Sequence, residues 1–285
     1  MLSLMPIQVI ETLAEMRALP KRRPRAVVMT MGALHDGHRA LLQSARKWSG
    51  VDGELVVTVF VNPLQFAAGE DLDRYPRTWQ QDLEMCEQEG VTAVFAPRAD
   101  DMFSLGRDIT LDPGPLGEIL EGKARPDHFA GVLTVVAKFI NLTNADAAIF
   151  GEKDYQQLAL INRMVQQLEI PIEILSVPTI RDADGLALSS RNQYLTSQER
   201  QAAAVLPAAL SAAVEVAAAG GGAEDAVVAA EKELTANELV VPDYVVVTDP
   251  LLGPAPEHGD ARILIAAAVG GTRLLDNAAL HLETR

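Results

Sequence analysis

A doubly wound α/β fold followed by a smaller α+β domain is the architecture this sequence predicts, and three observations carry it. Short apolar runs alternate with amphipathic stretches of helical period through roughly the first 180 residues. The apolar runs are continuous rather than alternating, as strands read when helices cover both faces of a parallel sheet. Past Ile180 the composition turns rich in alanine and glycine, and apolar runs follow one another across Gly turns.

In order, residues 26–31 form a strand and 37–47 a helix with Leu41, Leu42 and Ala45 at helical spacing. Strands follow at 54–61, 91–96, 145–150 and 172–177, with helices at 78–89, 129–144 and 154–169. Residues 97–126 are irregular around Pro113-Gly114-Pro115-Leu116, a segment read as wrapping the sheet edge or forming a lid. Residues 202–219 read as a helix that Pro207 kinks or restarts, Gly220-Gly221-Gly222 ends it, and 223–235 form another. Strands at 244–248, 262–268 and 272–275 complete a second domain. The expected division is a Rossmann-like domain over 1–179 and a smaller C-terminal lid domain over 180–285.

Composition narrows the function. The chain has 285 residues, 48% of them hydrophobic, enough for a sizeable core. A net charge of −15 argues against general nucleic-acid binding, so an anionic substrate must be met by local positive groups. One cysteine, Cys86, allows no intrachain disulfide and fits a reducing cytoplasm; it is read as a buried helix residue. No run of eighteen apolar residues occurs, and residues 1–10 carry neither basic residues nor a small-residue cleavage pattern. The expectation is therefore neither export nor a membrane.

Ligands of doubly wound sheets sit beyond the carboxyl ends of the strands. There the first strand runs into Thr30-Met31-Gly32-Ala33-Leu34-His35-Asp36-Gly37-His38, a turn into a helix. Unpaired amides at a helix start and the helix dipole favour an anion, and His35 and His38 add two donors. Gly37 lets backbone approach a phosphate closely. Read alone, H-x-G-H describes a solvated turn as readily as a site.

Asn62-Pro63-Leu64-Gln65-Phe66 ends the next strand with neutral amides, suited to a hydroxylated carboxylic acid. Gly151-Glu152-Lys153-Asp154-Tyr155-Gln156-Gln157 offers Lys153 to a phosphate and Asp154 to ribose hydroxyls or to a helix cap, with Gln157 turned the same way. Leu188-Ser189-Ser190-Arg191-Asn192 sets two hydroxyls and a guanidinium in one turn, which suits phosphate oxygens or a cap. Asp82 is one carboxylate on a helix, a weak magnesium candidate against a solvated face.

Taken in order with Asp71-Leu72-Asp73-Arg74-Tyr75-Pro76-Arg77-Thr78, His128-Phe129-Ala130-Gly131-Val132 and the tail Gly271-Thr272-Arg273-Leu274-Leu275-Asp276-Asn277, these stretches resemble the pantothenate synthetase (pantoate–β-alanine ligase) family of the H-x-G-H nucleotidyltransferases. The resemblance implies an ATP-dependent ligation of D-pantoate to β-alanine through a pantoyl-adenylate, releasing AMP and pyrophosphate. It assigns catalysis to His38, His35, Lys153 and Arg191. It assigns ATP to Met31, Gly32, Ala33, Leu34, His35, Asp36, Gly37, His38, Gly151, Glu152, Lys153, Asp154, Ile180, Leu188, Ser189, Ser190 and Arg191. Gln65, Gln157 and Asn62 fall to pantoate and β-alanine, and Asp82 to Mg²⁺. Arg125 and His128 are expected near the site without assigned roles, and a cytoplasmic homodimer is implied.

Two departures stand out. Met29 replaces the family's Pro before Thr-Met-Gly, and Gln81 precedes Asp82 where paired acids are usual. Two other readings differ in class: a transferase acting on a phosphorylated acceptor, and a nucleotide-binding regulator without catalysis. The neutral amides oppose the first, and the presence of His35, His38, Lys153 and Arg191 opposes the second.

Overall fold

The computed structural model describes residues 7–21, 24–67 and 69–283, so part of the stretch 1–10 read above for an export leader lies outside the described residues. The chain divides into two compact units, Met1–Glu152 with Gln156–Pro178, and Lys153–Tyr155 with Thr179–Arg285.

The elements of the first unit are β1 (Gln8–Ile10), α1 (Leu13–Ala18), β2 (Arg25–Thr30), α2 (Asp36–Ser49), β3 (Glu54–Val59), α3 (Trp79–Gln88), β4 (Ala93–Phe95), α4 (Ala99–Met102), α5 (Glu121–Ala124), α6 (His128–Thr143), β5 (Ala147–Gly151), α7 (Tyr155–Gln167, of which Tyr155 groups with the second unit) and β6 (Glu173–Val177). All six strands run parallel in the order β1-β4-β3-β2-β5-β6. The α/β expectation is met, with β1 added: three residues on a sheet edge are too few to leave a periodic signal.

Ala26, Val27 and Val28 are all fully buried, as are Leu55, Val56 and Val57, so both faces of the sheet are covered. Ala26, Val28, Leu55 and Val57 pack with Leu42, Ala45 and Cys86 in one core cluster. Phe139 of α6 meets Phe60 and Phe95 edge-on at 5.8 and 6.0 Å. Cys86 is the buried residue expected, and desolvation pushes its thiol up to about 12, far from a reactive thiolate.

From β2 the chain steps outward to β3 and β4, then returns to the other side of β2 as β5 and β6. The order therefore reverses between β2 and β5, which pair from Ala26↔Ala147 to Val28↔Ile149. A crevice opens at the carboxyl ends of strands where such a reversal occurs, and the histidine turn leaves β2 there.

The segment read as an edge wrap or lid is pinned. Gln156, 3% exposed, donates to the carbonyls of Leu116 and Ile119 and accepts from the amide of Glu121.

In the second unit, α8 (Ser197–Ala203), α9 (Val205–Ala218) and α10 (Ala223–Leu234) precede an antiparallel sheet of β7 (Val240–Thr248), β8 (Gly259–Val269) and β9 (Thr272–Leu282) in that order. Pro207 restarts the helix as expected: it sits in the first turn of α9, where its missing N–H costs no bond. By length and composition Ser197–Ala218 could cross a membrane. Here, however, its Ala203, Leu206, Ala209, Leu210 and Ala213 belong to the core cluster that includes Ile263 and Ile265 of β8. The third strand reaches Leu282, beyond the expected 275, because its outer half keeps pairing with β8.

Candidate active site

The histidine turn is held almost entirely by its own side chains and one distant carboxylate. Gly32 adopts φ +83° and Ala33 φ +52°, a left-handed pair that swings the chain off the end of β2. A Cβ at Gly32 would stand 3.1 Å from Asp82 Oδ2 and 3.2 Å from Val59, so glycine is required both for its backbone and for space. Thr30 Oγ1 donates to the carbonyl of Thr58 at 2.8 Å and accepts from the amide of Gly32 at 3.2 Å.

His35 is the N-cap of α2. Its Nδ1 accepts from the amide of Gly37 at 3.1 Å, while Nδ1 of His38 accepts from the amide of His35 at 3.3 Å. The pair forms a capping box in which imidazoles replace the usual hydroxyl and carboxylate. Because both Nδ1 atoms accept, these bonds assign each neutral ring the tautomer with its proton on Nε2. The ring centroids lie 4.2 Å apart at the helix start.

This corrects the expectation of open amides. The amides of Gly32, Ala33, Leu34, His35 and Gly37 all donate within the protein. An anion at this turn is met by imidazole N–H and the helix dipole more than by a backbone nest. Asp36 is exposed, paired with Arg39 at 3.2 Å. Met31 lies against the next cluster.

Asp82, the magnesium candidate, holds the turn. It is 3% exposed and accepts from Ala33 N at 3.0 Å, Leu34 N at 2.8 Å and Thr78 Oγ1 at 2.9 Å. Both oxygens accept hydrogen bonds in a dry site, so the carboxylate serves the turn first. Among the described residues no group of three or more His, Cys, Asp or Glu could hold a metal ion. Thr78 was missed from sequence, although its place four residues before Asp82 at the start of α3 was the available signal.

Asn62 is likewise a support rather than a contact. It is 1% exposed, its Oδ1 accepts from Leu64 N at 3.2 Å, and its Nδ2 reaches Gln65 Oε1 and the carbonyl of Gly131, each at 3.1 Å. Buried amides must be bonded, and here both N–H groups and the carbonyl of Asn62 find partners within the protein. A Cβ on Gly131 would collide with the carbonyl of Leu64 at 2.2 Å, so glycine lets α6 press against this turn. The Gln65 amide is thereby set, with its Nε2 3.2 Å from Met31 Sδ.

Arg125 and His128 acquire a role. Arg125 holds Glu70 through two bonds of 2.9 and 2.7 Å and donates to the carbonyl of Gln65 at 3.1 Å. His128 Nδ1 donates to that same carbonyl at 2.9 Å, and its Nε2 faces Arg125 Nη1 at 3.2 Å. Burial, and then the Arg125 charge, lower the His128 pKa to about 4. The ring is therefore neutral, accepting from Arg125 at Nε2. The Arg125 hydrogen bond likewise lowers the Glu70 carboxyl below its ordinary range. Together they fix the backbone beneath the Gln65 side chain.

Gln157 is half-buried beside the fully committed Gln156. The Gln157 side chain makes no hydrogen bond to the described residues. Gly151 ends β5, pairing with Val177, and Glu152 accepts from Ser176 Oγ at 3.0 Å.

The remaining predicted residues belong to the second unit. Lys153 Nζ lies 3.5 Å from Asp154 Oδ1, with the lysine side chain 21% exposed and the aspartate 51%. Ile180 and Leu188 close a hairpin through Leu188 N to Ile180 O at 2.9 Å, which uses one of the backbone donors expected for adenine. Ser189 caps the short turn Ser190–Tyr194, its Oγ accepting from Arg191 N at 3.3 Å. Ser190 and Arg191 follow within that turn, both half-buried.

Comparison with known proteins agrees with this chemistry. A family model described as Pantoate-beta-alanine ligase matches residues 8–279. The pantothenate synthetase of a Nocardioides species is 54% identical, covering 96% of this chain and 85% of the relative. That of Mycobacterium avium is 50% identical, covering 90% and 82%. Among solved structures, pantothenate synthetase from Thermus thermophilus superposes with a TM-score of 0.91 at 43% identity, covering 95% of this chain and 99% of the other. Pantoate-beta-alanine ligase from Francisella tularensis, complexed with Beta-gamma ATP and β-alanine, gives 0.79 at 31% identity, covering 95% and 97%.

Proposed function

The chain belongs to the pantoate-β-alanine ligase family, whose enzymes join D-pantoate to β-alanine with ATP, and from that premise we propose which of its residues carry each step. The observation that bears most weight is the histidine capping box, which sets two imidazoles at the start of α2 with each Nδ1 accepting from the turn's own backbone.

A carboxylate oxygen of pantoate attacks the α-phosphorus of ATP, the bond to the bridging oxygen breaks, and pyrophosphate departs with the electron pair. Charge builds on the phosphoryl oxygens, and preorganised donors lower that barrier because they need not reorient. His38 and His35 supply such donors, and Lys153, Ser189, Ser190 and Arg191 serve the triphosphate. Asp154 takes the ribose hydroxyls, and the backbone of Ile180 and Leu188 takes the adenine. Met31, Gly32, Ala33, Leu34, Asp36, Gly37, Gly151 and Glu152 shape the nucleotide's surroundings.

Gln65 and Gln157 hold pantoate through neutral amides, which bind a carboxylate and hydroxyls without neutralising the attacking charge. Asn62, Arg125, Glu70 and His128 support them. The amine of β-alanine then attacks the acyl carbon, losing its proton as AMP leaves. No step is assigned to magnesium, since Asp82 is committed to the loop. Cytoplasmic location and a homodimer complete the reading, supported by the family resemblance; light scattering that reads a single chain's mass would remove the homodimer.

Single-turnover pyrophosphate release from ATP tests the whole. Release should need pantoate but not β-alanine, and AMP should appear only when both are present. Equal release with a phosphorylated acceptor in place of pantoate would sink this reading.

A further inference from the structure

The tail motif Leu274-Leu275-Asp276-Asn277 has no part in the steps above, yet Asp276 and Asn277 are 2% and 3% exposed in the middle of β9. A carboxylate and an amide buried side by side in a sheet are costly unless fully bonded, so their partners reveal their use. Asp276 holds the Arg181 guanidinium by two bonds of 2.6 and 2.9 Å. Arg181 follows Ile180 and bridges to Ala187 in the hairpin that Leu188 closes.

Asn277 reaches another segment. Its Nδ2 donates to the carbonyl of Lys153 at 3.0 Å, and its Oδ1 accepts from Arg262 Nε at 2.8 Å. The Arg262 guanidinium lies 3.8 Å from the centre of the Tyr155 ring, and the Tyr155 hydroxyl donates to the carbonyl of Pro250 at 2.9 Å. Lys153–Tyr155 is thus fastened at the backbone of 153 and at the ring and hydroxyl of 155. These three residues group with the second unit although their neighbours on both sides group with the first. Glu152–Asp154 is a single 3₁₀ turn, too short to hold its own conformation.

We infer that Asn277 is the positioning residue for Lys153: by holding the lysine's carbonyl, it sets where the ammonium stands during adenylate formation. The inference rests on the role given to Lys153 above. A side chain with four rotatable bonds keeps a near-attack position only if its backbone is fixed, and a small misplacement costs rate rather than binding.

Asn277→Asp keeps the acceptor that Arg262 uses and removes the donor that Lys153 uses. Asn277→Ala is run beside it because the new carboxylate would adjoin Asp276. In both, single-turnover pyrophosphate release should slow by about 10- to 100-fold, while KM for pantoate and β-alanine holds and circular dichroism shows a folded chain. Combining either with Lys153→Ala should be no slower than Lys153→Ala alone, since the amide acts through the lysine.

Losses that multiply would make Asn277 a structural residue and overturn the inference. Full-rate release by Lys153→Ala would overturn it too, yet leave the ligase reading standing as long as the unsubstituted enzyme releases pyrophosphate with pantoate. Absence of that release would overturn the ligase reading instead. If neither Asn277 variant folds, Arg262→Gln, which loses the stack on Tyr155, goes through the same cycle: no further loss on top of Lys153→Ala supports the inference, and losses that multiply overturn it.

Discussion

The histidine turn and the Lys153–Tyr155 segment both follow strands of the parallel sheet, but they are held at very different range. In the turn, His35 bonds Gly37 across two positions and His38 bonds His35 across three. Lys153 is held by Asn277, 124 positions away. The turn also rests on a carboxylate 3% exposed, whereas Asp154 has a side chain 51% exposed. The contrast teaches that one region arrives with its donors already aimed, while the other is aimed by a strand from the far end of the chain. Catalytic groups that must not reorient gain most from the first arrangement.

Removing an aimed donor should therefore have the largest effect. His38→Ala should slow adenylate formation by about 10²-fold or more, with ATP affinity nearly unchanged, as read by rapid quench and equilibrium titration. An unaltered rate would make this histidine only a cap. Asp82→Ala strips the acceptor from two amides and a hydroxyl in a buried site, and should cost about 3 kcal/mol of stability. Asp154→Ala, on the exposed side of the comparison, should cost less than about 0.5 kcal/mol. Equal losses in denaturant titration would erase the contrast.

Acid should act on the clamp beneath Gln65. Unfolded His128 takes a proton near its ordinary value of 6.5, but burial and Arg125 hold the native ring near 4. Between those values the unfolded state binds more protons, so stability falls as pH drops from about 6.5 towards 4, by up to roughly 3 kcal/mol. Glu70, lowered by Arg125, adds its own loss as pH falls through its lowered value. In His128→Gln the first part of the decline should vanish; a melting temperature with the same pH slope in both proteins would contradict the assignment.

The narrowest expected effect, confined to one substrate, falls on Gln157. Its truncation to alanine should raise KM for pantoate by about 10-fold, the worth of one substrate hydrogen bond, and leave KM for ATP alone. Parallel increases in both constants would mean that Gln157 serves the nucleotide.

Much of this was legible from sequence where signals are local. The continuous apolar runs of 26–28 and 55–57 announced strands covered on both faces, and H-x-G-H marked a strand-to-helix turn. Gln65 and Gln157 stood out as neutral amides after strands. Asn62 stood out as a contact, and Asp82 only as a weak magnesium candidate against a solvated face, because a residue type declares its chemistry without declaring its partner. Asn62 found Gly131, and Asp82 found the amides of Ala33 and Leu34.

Local pattern in the chain determined the fold class, the strand ends where chemistry gathers and the identity of the donors. Tertiary structure decided which polar groups find partners among the described residues and which do not. Desolvation makes every buried polar atom take a partner, and that partner is set by the packing of strands and helices distant in sequence. Thus Gln156 anchors a segment while Gln157, next to it, makes no hydrogen bond to the described residues, and Asn277, a member of the tail motif without an assigned role, holds the carbonyl of Lys153.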